Sequence, residues 1–170
     1  EFGTRMSFTM NSTSPVQVVQ VLPGSQTAVG FGWGKQAPDD SDTTSDQDIP
    51  IEQMGDPALT LVPPSDQFRT SYTFLTPDTY ERNFVNVLHR SGDDIYLDGI
   101  EIQSSDDLER VMKVHEEPIG QSDWHLTIVE VSAGPHFMSN PSGDAFGIMV
   151  YAYDRDVSYA FPGGLNLLKR

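Results

Sequence analysis

Cysteine does not occur in the 170-residue sequence, which excludes disulfides, thiolate catalysis and cysteine-based zinc or iron–sulfur sites. Basic residues are scarce: 10 Lys and Arg stand against 25 Asp and Glu, giving a formal net charge of −15 at pH 7. Nucleic acids and anionic membrane surfaces are held by clusters of Lys and Arg. The few present here are scattered along the chain, so neither partner is expected. No apolar run approaches the roughly 18–20 residues of a membrane-spanning helix, and membrane insertion is not expected. The 4 histidines, His89, His115, His125 and His136, lie in no nucleophile elbow or paired-histidine metal motif. Hydrolysis requires a nucleophile, a base and an orienting group in mutual reach, and the sequence announces no such set; an enzyme is not expected.

What is present is turn chemistry and short β-branched runs. With 14 Gly, 12 Pro and 37% hydrophobic residues, the composition is that of a globular, turn-rich chain, and the length suits one domain with a real core. The opening "EFGTR" reads as translated restriction sites, so residues 1–6 are set aside as vector-derived and residues 7–170 are taken as a single domain. "SPVQVVQVLPG" reads as a strand closed by Pro23-Gly24. From Ser25 to Met54 the pattern dissolves, and the acidic stretch near 35–50, with Asp39, Asp40, Asp42, Asp46 and Asp48, predicts a mobile solvated loop. In "RTSYTFL" the period of two puts Tyr72 and Phe74 on one face and Ser71, Thr73 and Leu75 on the other. "YLDGIEI" carries the Asp98-Gly99 hairpin signal. "SSDDLERVMKVHEE" predicts one short helix, with Leu108, Val111, Met112 and His115 at helical spacing. "WHLTIVEVSAGPHFMSN" reads as a hairpin turning at Ala133-Gly134, and "AFGIMVYAYDRDVSYAFPGG" as another turning at Asp154–Asp156. Leu126, Ile128 and Val131, facing Ile148, Val150, Tyr151 and Tyr153, supply the apolar material for a core. The expected fold is all-β: a jelly-roll-like β-sandwich of about ten short strands with one short helix and long loops.

The order of pieces, "PVQVVQ", "GDPALTLVPPSDQFRTSYTFLTP", "NFVNV", "LDG", "WHLTIVEVSAGPHFM" and "FGIMVYAYDRDVSYAFPGGLNL", resembles the amino-terminal domain of the IgG Fc-binding protein family in its bacterial form. The resemblance runs from about Ser7 to Leu168 and falls on the later part of that domain, so an earlier portion is expected upstream. It implies an extracellular or cell-surface protein used in adhesion, in matrix or mucus contexts, without enzyme activity. It transfers no functional residue, and Fc binding would require matched contact residues.

Several groups are candidates for a site. Trp33, in the Gly-rich "GFGWGK", and Trp124 could stack on a sugar face. Calcium is a possible cofactor, because hard cations need several oxygen ligands. The acidic run at Asp39–Asp48 lacks a repeat-loop spacing, and the better set is Asp93, Asp94, Asp98, Asp144, Asp154 and Asp156. "GDPALTLVPPSDQF" is read as architecture, a strand between the Gly55-Asp56-Pro57 corner and the Pro63-Pro64 stop, with the next strand starting at Gln67 and Phe68. The function expected is a non-enzymatic extracellular recognition or adhesion module that binds a glycan or protein through its loops. The alternative is a structural spacer or assembly module of a surface adhesin or fibre, and behind it a metal-dependent hydrolase.

Overall fold

The computed structural model describes residues 7–22, 55–103 and 111–167. Trp33 and the acidic stretch near 35–50 lie outside the described residues. Among the described residues eleven strands form in the order β1 (Val19–Leu22), β2 (Ala58–Leu61), β3 (Ser71–Thr76), β4 (Arg82–Arg90), β5 (Tyr96–Leu97), β6 (Ile100–Glu101), β7 (Val111–Pro118), β8 (Trp124–Val131), β9 (Gly134–Ser139), β10 (Gly147–Asp154) and β11 (Val157–Pro162). All pairings are antiparallel. A five-stranded sheet has the order β11-β10-β4-β8-β7, a four-stranded sheet the order β3-β9-β5-β6, and β1-β2 form a separate ribbon.

The two larger sheets share one core, and the fold is an all-β sandwich. Tyr72, Phe74, Leu97 and Met138 from the small sheet meet Val85, Val87, Val129, Val131, Ile148 and Val150 from the large one. Burial of each aliphatic side chain contributes about 1.5–3 kcal/mol. The alternation in β3 is as the sequence predicts, with Tyr72, Phe74 and Thr76 buried. Along β8 the inward residues are Thr127, Val129 and Val131, so Leu126 and Ile128 occupy the opposite face from Val131, as a period of two requires. In β10, Ile148 and Val150 enter the core. Tyr151 lies on the other face, stacked on Phe84 at 5.3 Å. Tyr159 packs against the core and donates to Asn83 Oδ1 at 2.7 Å.

Two expectations fail for identifiable reasons. The segment drawn as a helix is strand β7 from Val111 to Pro118, and residues 104–110 lie outside the described residues. Val111, Val114 and the edge of β8 favour an extended chain, and the pairing of β7 along the length of β8 overrides the local helical spacing. The register slips between Lys113 and His115, and this bulge disguises the period of two. The second is β8–β9, which is not a hairpin. β8 pairs with β4 and β7, whereas β9 pairs with β3 and β5, so Ser132-Ala133 carries the chain from one sheet to the other. Gly134, at φ 126, supplies the backbone freedom for that crossing.

The corners of the "GDPALTLVPPSDQF" strand are mechanical. Gly55 has φ 85 and donates to the Asp154 carbonyl at 2.8 Å, while a Cβ there would fall 2.7 Å from the Tyr153 ring. Beyond Leu61, Pro63 and Pro64 cannot donate ladder bonds. The chain then makes a 3-10 turn over Ser65–Gln67, and the next strand begins at Ser71 rather than Gln67.

Candidate functional site

The strand registers put the starts of β3, β8 and β10 and the ends of β4 and β9 at one end of the sandwich. The loops there are tied to one another. Arg69 and Phe146 form an isolated antiparallel bridge, Asn140 donates to the Thr70 carbonyl at 3.1 Å, and Asn166 donates to the Gln67 carbonyl at 2.9 Å. Loops fixed to a rigid scaffold in this way are where binding residues concentrate.

An aromatic and cationic cluster sits on this frame. Phe68 packs so closely on Gly147 that a Cβ there would lie 2.4 Å from its ring. It meets half-buried Trp124 edge to face, with centroids 5.6 Å apart. The Arg90 guanidinium lies over the Trp124 ring at 4.7 Å, an attraction of about 0.5–1 kcal/mol where exposed. Beside it an open concavity of about 230 Å³ is lined by Arg69, Ser71, Tyr72, Thr73 and Gly163. The Tyr72 hydroxyl is committed, donating to the Phe146 carbonyl at 2.6 Å and accepting from the Arg69 amide at 3.0 Å. Burial pushes this phenol above its ordinary pKa, so it stays neutral.

The sequence-predicted aspartates are not gathered. Among the described residues no three His, Asp or Glu side chains are grouped to hold a metal. Buried Asp93 accepts from the Arg90 amide at 2.9 Å, and Asp94 is exposed one residue on. Asp98 accepts from the Phe137 amide at 2.8 Å and holds His136 Nδ1 at 2.7 Å. Asp144 accepts from the Ser142 hydroxyl at 3.2 Å. Asp154 accepts from the Glu81 amide at 3.2 Å, and Asp156 is exposed in the β10–β11 turn with φ 54. Apart from Asp94 and Asp156, each carboxylate serves a local hydrogen bond.

One constellation has the outline of a catalytic triad. His136 Nε2 lies 3.2 Å from Thr76 Oγ1, and its Nδ1 lies 2.7 Å from Asp98. Thr76 is only 1% exposed and donates to the Ser132 carbonyl at 2.8 Å, and His136 Nε2 addresses that same carbonyl, also at 2.8 Å. A nucleophile needs space for a reacting carbon beside it. This hydroxyl has none, and the trio clamps the Ser132 crossing instead.

Arg69, Ser71, Thr73, Arg90 and Phe68 were not singled out from sequence. The available signal was scarcity: in so acidic a chain, a lone arginine beside alternating hydroxyls in "FRTSYT" is unusual.

The architecture is that of an antiparallel β-sandwich that presents aromatic and guanidinium groups from linked loops. The model of the IgGFc binding protein family matches residues 1–152, and the chain belongs to that family. No curated protein and no solved structure matches it. Among the described residues no helix is long and apolar enough to cross a membrane.

Proposed function

We propose that the protein is a non-enzymatic, extracellular recognition or adhesion module that binds a glycan or a protein through the loop end carrying Phe68, Arg90 and Trp124. Family membership supports a binding role, and the observation that carries the location is the Arg90–Trp124–Phe68 cluster. Trp and Arg are enriched among the few residues that carry most of the energy at recognition surfaces. The reading assigns no metal to the turn aspartates. Biolayer interferometry against glycans, immunoglobulin Fc and matrix proteins tests it. Trp124→Ala and Arg90→Ala are expected to weaken the bound ligand by tenfold or more, on the order of a hot-spot residue, at unchanged secondary structure. No binding across the panel at high concentration would overturn it.

A second reading, an assembly or spacer module, is favoured by one feature. Val19, Val21, Leu59 and Leu61 share a face of the β1–β2 ribbon by register and are all exposed, at 44–67%. Concentration-dependent sedimentation of the protein, lost in Leu59→Ser, would support that reading over the first.

A further inference from the structure

Arg69 differs from the two basic side chains that are ion-paired among the described residues. Arg82 is held by both Glu130 oxygens, at 2.9 and 2.7 Å, and Lys113 reaches Glu116 at 3.2 Å. Arg69 makes no ion pair among the described residues, although the sequence holds 25 acidic residues. Its contribution to the fold is made by its backbone, through the bridge to Phe146 and the bond to the Tyr72 hydroxyl. Its stem runs beside Gly164, where a Cβ would lie 3.7 Å from Arg69 Cδ. Arg69 lines the concavity together with Ser71, Tyr72, Thr73 and Gly163.

Ser71 and Thr73 stand two residues apart on the outer face of β3, about 7 Å from each other by strand geometry, and their hydroxyls have no partner among the described residues. A concavity of about 230 Å³ is smaller than the roughly 300–1,000 Å³ clefts that take drug-sized apolar ligands. Its size and polar lining suit one sugar ring. The planar guanidinium fork matches the paired oxygens of a carboxylate or sulfate, and the hydroxyls match sugar oxygens.

We infer that the Arg69–Ser71–Thr73 concavity binds the acidic group of a carboxylated or sulfated sugar. This rests on the recognition reading above and names its ligand class. Arg69 is exposed, so the contribution is modest and screened by salt.

The test is a two-dimensional NMR titration of the whole chain with 3′-sialyllactose, sulfated lactose, lactose and a penta-glutamate peptide. One or both acidic sugars should shift the Arg69, Ser71 and Thr73 amides, and which of them does so identifies carboxylate or sulfate as the source. Arg69→Gln should weaken that sugar about fivefold, in line with an exposed charge-assisted contact. Thr73→Ala should weaken it less, and Arg155→Gln, at the opposite end, should not. Equal binding of lactose or of the peptide, or no loss in Arg69→Gln with the spectrum otherwise intact, would overturn the inference. If neither acidic sugar binds while a ligand from the interferometry panel still depends on Trp124, the inference falls and the recognition reading stands.

Discussion

His89 is 2% exposed and hydrogen-bonded through both ring nitrogens. Nδ1 donates to the Arg90 carbonyl at 3.0 Å, and Nε2 lies 2.8 Å from Thr127 Oγ1, a hydroxyl that donates to a neutral ring or accepts from a charged one. Burial pulls its pKa below the ordinary value, the Arg90 carbonyl opposes this and nearby His125 reinforces it. In the unfolded chain the same ring protonates near 6.5. Between the folded value and about 6.5 the unfolded state therefore binds more protons. Stability rises with pH through that window by at most about 1.4 kcal/mol per pH unit for one proton; the contribution is complete above the window, is lost as pH falls through it and does not change further below it. Urea unfolding at pH 7.5, 6.5 and 5.5 is expected to show a shallower acid loss in His89→Gln than in the parent. Parallel curves would mean that His89 is already charged in the folded protein.

At the level of elements, the β5–β6 turn shows how one side chain ties a hairpin to its sheet. Asp98 and Gly99 both have positive φ, 52 and 85, the two-residue turn that matches strand twist. The Asp98 carboxylate then accepts from the Phe137 amide and holds His136. Asp98→Ala should cost about 2–4 kcal/mol, from the lost charge-assisted bonds and a strained left-handed alanine. Asp98→Asn keeps the turn preference and an acceptor, and should cost less than half as much; equal losses in denaturant would show that the carboxylate bonds contribute little. This turn was legible from "DG" because its physics is local, as was the buried Tyr72–Phe74 face. β7 was not, because its pairing with β8 is long-range and its bulge hides the alternation. Nor was the β8–β9 crossing, since "SAG" permits either a hairpin turn or a passage between sheets, and only the partners of each strand decide which.

For the whole molecule, a net charge of −15 means that compaction works against self-repulsion. Raising sodium chloride from 10 to 200 mM shortens the Debye length from about 30 Å to under 10 Å, and the melting temperature is expected to rise; a fall would show that attractive pairs such as Arg82–Glu130 outweigh the net repulsion. The loop-end cluster was half legible. Trp124 was a candidate for stacking on a sugar, but its guanidinium partner comes from β4 and its edge partner from the residue that follows the 3-10 turn, and proximity of that kind is not written in any one segment. β8 carries Trp124 at one end and the clamped crossing into the small sheet at the other, hydrogen-bonded to β4 and β7 along its length. A tether pulling on Trp124 along the strand axis therefore loads both ladders in shear, all bonds at once, rather than unzipping them singly, so a ligand held at this end would be gripped by the part of the sandwich that yields last to mechanical force.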